Sequence, residues 1–192
     1  IYDVIADCLA QPDFLPRALY ERFNIEVLAT TESPLDSLTH HQKLRSGNWN
    51  KRIIPTYRPD PLVDPEFEGF TANVAALGVL TGENTETWDG YLKALAERRQ
   101  FFTSMGATAT DHGHASATTA DLPRSQCEVL LAKALSRKIS CAESEQFRGQ
   151  MLTEMARMSI EDGLVMQIHP GAFRNHNTAV FRKFGRDKGS DI

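Results

Sequence analysis

The stretch NIEVLATTESPLD, residues 24–36, decides the fold of this protein. Its first half, residues 24–30, is a short run rich in aliphatic side chains between polar neighbours, which is typical of a buried strand. Ser33 then stands where it can cap a new helix, with Pro34 in the first turn and Asp36 at the capping-box position. The stretch therefore predicts a strand that passes directly into a helix.

The same unit recurs along the chain. Further short strands are predicted at residues 52–57, 107–110 and 164–168, and helices at about residues 87–104, 127–135 and 144–162. Strands that alternate with helices predict a parallel α/β sheet. A doubly wound sheet stays open as an alternative, although no glycine-rich phosphate fingerprint follows any of the strands.

Polar side chains stand where the predicted strands end. They are Arg58, Asp111, His112 and His169. In a (β/α)8 barrel, this edge of the sheet carries the chemistry. Four strands cannot close such a barrel, which needs eight strands and typically about 250 residues. The sequence therefore predicts part of a barrel, completed by a longer chain or by another copy.

Composition indicates a soluble protein that acts on a small molecule. The 21 basic and 25 acidic residues give a net charge of -4. No block of like charges and no long apolar run occurs, which disfavours nucleic acid and membranes as partners. Three widely spaced cysteines and the lack of a signal peptide suit the cytoplasm. The first residue, Ile1, and the polar last residues are expected to be cuts within a longer protein.

Arg58 is the first candidate binding residue. It follows a predicted strand and precedes Pro59, which holds its backbone extended. Its guanidinium could clamp a carboxylate through two parallel hydrogen bonds. It could equally form a structural pair with Asp60, and position alone does not decide between the two.

The segment DHGH, residues 111–114, contains a pair of histidines at metal-ligand spacing. On an extended strand His112 and His114 would point to one side and Asp111 to the other. Gly113 suggests that the strand has already ended, and a third ligand is missing. We therefore expect the two histidines to line a pocket rather than to bind a metal.

The last predicted strand ends at His169, and the following Pro170 and Gly171 turn the chain. A histidine in this place could carry a proton or hydrogen-bond a substrate, or it could lie satisfied beneath a loop. The polar segment RNHN, residues 174–177, suits either a hydroxylated ligand or an ordinary solvated loop.

Several long strings resemble the uronate isomerase family, which belongs to the amidohydrolase-like superfamily. They are FNIEVLATT with PLD (residues 23–36), PTYRPD (55–60), TDHG (110–113) and the run 151–177. The resemblance implies a distorted (β/α)8 barrel, of which this chain is the central portion with about strands 2–5. Residues 1–22 would be the tail of a helical insertion, and residues 23–192 the partial barrel.

The implied reaction is aldose–ketose isomerisation of D-glucuronate and D-galacturonate. By the same resemblance, Arg58 grips the sugar carboxylate. Asp111 and His169 become candidate catalytic residues, and Arg174 and Asn175 become candidate substrate-binding residues. The resemblance is compatible with a homo-oligomer.

The implied cofactor is a divalent metal, zinc, in the full-length enzyme. The family's ligands are a histidine pair on the first strand and an aspartate at the end of the last, and neither segment lies within residues 1–192. His112 and His114 match a different motif. Two other hypotheses stay open, namely a metal-dependent hydrolase that uses His112, His114 and His169, and a non-catalytic sugar-acid-binding fragment. A chain of these residues alone is expected to be inactive and poorly folded.

Overall fold

A computed structural model describes residues 1–171, 175–185 and 188. The helices are α1 (Tyr2–Leu9), α2 (Pro16–Arg22), α3 (Thr39–Ser46), α4 (Asp60–Val63), α5 (Phe70–Thr81), α6 (Trp88–Ser104), α7 (Arg124–Leu135), α8 (Cys141–Asp162) and α9 (Thr178–Phe184). The strands are β1 (Val27–Glu32), β2 (Arg52–Tyr57), β3 (Ala109–His112) and β4 (Val165–Ile168). A short 3-10 helix, Pro12–Phe14, separates α1 from α2.

The four strands form one parallel sheet in the order β1-β2-β3-β4. Each crossover between neighbouring strands contains at least one helix. This sequential, all-parallel order is that of successive units of a (β/α) barrel, and it confirms the predicted parallel α/β architecture. Each observed strand ends within two residues of the end that the sequence predicts.

The sheet has a helix-covered face and an open face. Tyr57 at the end of β2 packs edge-on against Phe102 of α6, with ring centroids 5.2 Å apart. The register places Thr110 beside Tyr57. Because side chains alternate along a strand, Thr110 and His112 lie on the helix-covered face, whereas Asp111 lies on the open face.

The core lies between the helix-covered face and helices α4 to α8. A buried aromatic cluster fills its centre, formed by Phe70, Trp88, Tyr91 and Phe147. Arg99 of α6 is 1% exposed and makes two hydrogen bonds, of 2.6 and 2.9 Å, to the Asp162 carboxylate. A buried cation needs such pairing, so this contact fixes α6 against the last turn of α8.

The loop of residues 113–123, which follows β3, runs along one stripe of α8. The stripe comprises, at four-residue intervals, Glu145, Gly149, Thr153 and Arg157. Thr153 donates its hydroxyl to the carbonyl of Ala120 at 2.7 Å, and Arg157 pairs with Asp121 at 2.6 Å. Residues four apart share a face of a helix, so α8 supports the loop over most of its length.

The helix predicted to start at Ser33 begins six residues later, at Thr39. The Asp36 carboxylate accepts the backbone N–H of Leu38 at 2.6 Å, and Leu38 itself has a φ of 53°. Arg98 of α6 donates to the Asp36 carbonyl at 2.8 Å. The prediction of an immediate helix was wrong, because these contacts hold the segment in a turn before α3.

Of the two N-terminal helices, α2 contacts the sheet at its margin. No residue of α1 is buried, whereas Tyr20 of α2 is 3% exposed and donates to the Glu26 carbonyl at 2.9 Å. The division of the chain at residue 22 stays a prediction. None of the helices in the described ranges is long and apolar enough to cross a membrane.

Candidate active site

Arg58 lies at the carboxyl end of β2, on the open face of the sheet. Its backbone N–H donates to the carbonyl of Glu32 at 3.0 Å, which extends the β1–β2 ladder by one bond. Its side-chain Nε donates to Asp60 Oδ2 at 2.8 Å, and Nη1 lies 3.3 Å from Asp111 Oδ2. The pair with Asp60, which the sequence offered as the structural alternative, therefore exists together with a contact to the candidate catalytic carboxylate.

His169 and Asp111 form a second pair beside Arg58. His169 Nε2 lies 2.8 Å from Asp111 Oδ1, and the histidine backbone N–H donates to the His112 carbonyl at 3.1 Å. An ionised carboxylate can only accept hydrogen bonds, so Nε2 carries the proton in the neutral ring and Nδ1 keeps a lone pair. Asp111 therefore selects the tautomer of His169 whose Nδ1 can act as a base.

Gly113 allows these groups to meet. A Cβ at this position would lie 2.4 Å from Arg58 Nη2, 2.7 Å from Asp60 Oδ2 and 3.2 Å from His169 Cε1. The first two distances are shorter than any ordinary contact, so a larger residue would force the polar cluster apart. The sequence offered Gly113 only as a sign that the strand had ended.

His112 and His114 do not line this cluster, and that expectation was wrong. They are 0% and 6% exposed, and their rings lie 5.8 Å apart. His112 Nε2 is hydrogen-bonded to the Thr110 hydroxyl at 2.8 Å, on the helix-covered face. Burial, and next the neighbouring His114, lower the pKa of His112 from 6.5 to about 3. Burial likewise lowers the pKa of His114.

The buried histidines do not fit a metal centre. Two of their ring nitrogens, Nδ1 of His112 and Nε2 of His114, have no hydrogen-bond partner among the described residues. Asp111 and His169 nevertheless lie on the other face of the sheet. No group of three or more His, Cys, Asp or Glu side chains in the described part of the chain could hold a metal ion.

The remaining candidate residues follow β4. Arg174 lies outside the described residues. Asn175 occupies the turn before α9 with a φ of 55°, a conformation in which asparagine is among the better tolerated residues. Asn177 caps α9 by accepting the Val180 N–H at 3.1 Å. Asn177 thus has a structural role at the start of α9.

Two depressions of the surface, of about 560 and 580 Å³, lie around α5 rather than at the strand ends. One is bounded by α5, the end of α7 and the start of α8, and the other by α5 and residues 82–86. Neither is lined by Arg58, Asp111 or His169. The polar cluster itself lies on the open face of the sheet.

The cluster also contains Asp60, which is not among the candidate site residues predicted from the sequence. Its carboxylate accepts from Arg58 Nε and from the backbone N–H of Gly113, at 3.1 and 3.2 Å to its two oxygens. Extending the β2–β3 register from Tyr57 and Thr110 places residue 60 opposite residue 113. Register, which a single sequence does not contain, was the missing signal.

A parallel, sequentially ordered sheet with charged side chains clustered at its carboxyl edge defines the class of (β/α)-barrel enzymes. A sequence model described as glucuronate isomerase matches residues 1–192 of this chain. The chain therefore belongs to the glucuronate isomerase family.

Relatives and solved structures agree with this assignment. Proteins named uronate isomerase are similar to the whole chain, with 56% identity in Rhizobium meliloti and 59% in Sphingopyxis alaskensis. The chain spans 41% and 42% of the length of these two relatives. The crystal structure of glucuronate isomerase from Caulobacter crescentus matches 99% of the chain at 47% identity, with a TM-score of 0.93, and 40% of the crystal chain is covered. Uronate isomerase from Thermotoga maritima matches 94% of the chain at 31% identity, with a TM-score of 0.89 and the same 40% coverage. The four strands are thus part of a (β/α) barrel.

Proposed function

We propose that the full-length protein interconverts hexuronates as an aldose–ketose isomerase, turning D-glucuronate into D-fructuronate and D-galacturonate into D-tagaturonate. The observation that carries the proposal is the Arg58–Asp111–His169 cluster at the carboxyl edge of the sheet. Family membership over residues 1–192 supports the reaction type. Because the chain spans about 40% of its relatives, the remaining part of the barrel contributes further groups to the site.

The reaction needs a group that moves a proton between two carbon atoms. Removal of the C2 proton, with protonation of the aldehyde oxygen, gives an enediol. Return of a proton to C1, with loss of the proton on the C2 oxygen, gives the ketose. His169 is the proposed proton carrier, because Asp111 holds its Nε2–H at 2.8 Å and leaves the lone pair on Nδ1. Asp111 also stabilises the imidazolium that forms when Nδ1 takes the proton.

The substrate is an anion, and Arg58 is the proposed partner of its carboxylate. Its side chain is 31% exposed at the open face, with Asp60 and Asp111 on two sides of the guanidinium. A planar guanidinium matches a carboxylate better than an ammonium does. Arg174 and Asn175 are proposed to bind the sugar hydroxyls from the segment after β4.

The proposal includes a divalent metal, zinc, in the full-length protein, with ligands outside residues 1–192. No step of the proton transfer uses a metal held by His112 or His114, because both are buried and the described residues contain no group of side chains that could hold a metal ion with them. A cytoplasmic location and association into a homo-oligomer belong to the same proposal.

The metal-dependent hydrolase is not favoured by the geometry. That hypothesis requires His112, His114 and His169 to ligate one ion. Within the described residues, the first two are buried, His112 on the helix-covered side, and His169 is on the open face. One ion cannot reach all three in this arrangement.

The test is an isomerase assay on the full-length protein and its Arg58→Met variant, with and without a chelator. The wild type should form ketose from D-glucuronate. Loss of the charged partner should lower kcat/KM by about 10- to 100-fold, the value of a hydrogen bond between charged groups. Arg45→Met is the matched control, because Arg45 is exposed on α3 and donates to the Ser104 carbonyl. A wild type that forms no ketose, or an Arg58→Met variant as active as the control, would refute the proposal.

A further inference from the structure

The junction between β2 and β3 is the weakest in the sheet. Among the described strands, β1 and β2 pair over their full lengths, and β3 pairs with β4 from Ala109 to His112. β2 and β3 share the single pair Tyr57–Thr110. The chain leaves β2 through Pro59, which has no N–H to donate, and turns into α4 at Asp60. The backbone ladder therefore stops just where the two strands present Arg58 and Asp111.

Beyond this single pair, a side chain makes the hydrogen bond between the two strand ends. Continuing the register, residue 60 stands opposite residue 113. The Asp60 carboxylate accepts the backbone N–H of Gly113 at 3.1 and 3.2 Å, in the place of a strand carbonyl. It also accepts Arg58 Nε at 2.8 Å. One carboxylate thus joins the two strand ends and fixes the direction of the guanidinium.

We propose that Asp60 is a positioning residue that holds the Arg58 guanidinium in the orientation needed to bind the substrate carboxylate. This inference rests on the proposed function, since it assigns to Asp60 a part in the same site. Arginine has several rotatable bonds, and ordering its side chain on binding costs affinity. Asp60 removes that cost beforehand, because its side chain is 13% exposed and its contact to Nε is short.

Asp111 alone cannot hold the guanidinium in this way. Its contact to Arg58 Nη1 is longer, at 3.3 Å, and its other oxygen is committed to His169 at 2.8 Å. Asp60 contacts Nε, the nitrogen nearest the chain, and so restricts the rotation of the whole group. Asp60 therefore orients the guanidinium of Arg58, whereas Asp111 mainly pairs with His169.

The test uses the full-length protein with Asp60→Asn. The amide loses the charge that strengthens the bond from Arg58 Nε, and its NH2 group replaces one of the two oxygens and would face a donor, either Arg58 Nε or the Gly113 N–H. We expect KM for D-glucuronate to rise at least about tenfold, the factor for one lost charge-assisted hydrogen bond. We expect kcat to stay within about threefold. Calorimetric binding of D-glucuronate should weaken by the same factor as KM rises.

Asp64→Asn is the matched control. Asp64 lies at the end of α4 and pairs with Arg148 at 2.9 Å, with no part in the cluster. It should lower the melting temperature and leave KM unchanged. In the double variant with Arg58→Met, Asp60→Asn should add nothing to the rise in KM, because Asp60 acts through Arg58. Should Asp60→Asn not fold, Asp60→Glu serves instead, since the longer side chain displaces the same contacts while keeping the charge.

The outcomes separate the two proposals. A wild type that binds D-glucuronate but forms no ketose refutes the isomerase reaction alone, and the binding comparison still decides the role of Asp60. A wild type that neither binds nor converts uronate refutes both. Unchanged KM and affinity in Asp60→Asn, or additive effects with Arg58→Met, overturn the positioning role.

Discussion

Gly113 has a steric role that its neighbours define. Three polar side chains, Arg58, Asp60 and His169, come within 3.2 Å of the place where a Cβ would stand. The backbone N–H of Gly113 is also bound to the Asp60 carboxylate. Gly113 therefore donates a hydrogen bond within the cluster, and its lack of a side chain leaves room for the three polar groups.

Gly113→Ala should weaken substrate binding and also lower stability, and the two effects are measured separately. The added methyl group overlaps Arg58 Nη2, so the guanidinium must move, and we expect kcat/KM for D-glucuronate to fall by about tenfold or more in the full-length protein. Overpacking of this kind costs about 1–3 kcal/mol of stability at most sites, which thermal unfolding measures. Gly47→Ala is the control, because its Cβ would approach the helix carbonyls of Lys43 and Leu44 no closer than 3.3 Å. Activity of Gly113→Ala within twofold of the wild type would contradict the observed arrangement of Arg58.

The residues of the cluster could be predicted only in part. Arg58, Asp111 and His169 were found because each stands at a strand end, which periodicity reveals. The face on which each lies depends on where the strand stops and how it pairs. His112 and His114 were misplaced for that reason, since β3 extends through His112 and turns its ring towards the helices.

Among the elements, α8 determines how the loop after β3 is placed. Its N-terminus has a capping box between Ser140 and Glu143, a signal that our sequence-based start at residue 144 overlooked. Its end at Gly163, with a φ of 75°, agrees with prediction. Between these ends the loop of residues 113–123 is held by the stripe at Glu145, Gly149, Thr153 and Arg157. The stripe therefore fixes the segment by which the chain leaves the cluster.

A larger residue at Gly149 should loosen this loop. A Cβ there would lie 3.2 Å from backbone atoms of Thr118, Thr119 and Ala120, and the methyl groups of valine would project further. We expect Gly149→Val to lower the free energy of unfolding by about 1–3 kcal/mol and to speed hydrogen exchange in residues 113–123. Ala142→Val, in the exposed first turn of α8, controls for the poorer helix propensity of valine, about 0.5 kcal/mol. Equal exchange in both variants would show that the stripe does not hold the loop.

Strands were easier to predict than helices in this chain. All four strands were predicted in the right places, and their four ends fall within two residues of prediction. By contrast α5 was not predicted, because FTANVAALGVLT has no polar stripe and carries Gly78 in its interior. That glycine is needed for packing, since a Cβ would lie 2.8 Å from the Thr85 hydroxyl oxygen. A contact of this kind depends on how separate segments pack together, which a local hydrophobic pattern does not show.

In the molecule as a whole, the two outermost strands of the sheet expose apolar side chains. β1 and β4 are the outermost strands, and Leu28, Val165 and Ile168 are 43%, 63% and 45% exposed. Parallel sheets are normally covered on both faces. That a polypeptide of residues 1–192 alone is inactive and poorly folded stays a prediction. The full-length protein is therefore the appropriate object for each measurement.

The buried histidines should make the whole molecule sensitive to acid. The pKa of His112 is about 3 in the folded protein against an ordinary 6.5, so between these values the unfolded chain binds a proton that the folded protein does not. Stability is therefore retained above pH 6.5 and falls towards pH 3, by about 1.4 kcal/mol per pH unit for each such group. His112→Gln, which can keep the bond to Thr110, should flatten the decline measured by denaturant unfolding between pH 6.5 and 4.5, although it lowers stability at pH 7. His40→Gln, at an exposed position of α3, is the matched histidine-to-glutamine control. If His112→Gln and the wild type decline in parallel, the acid sensitivity does not originate at His112.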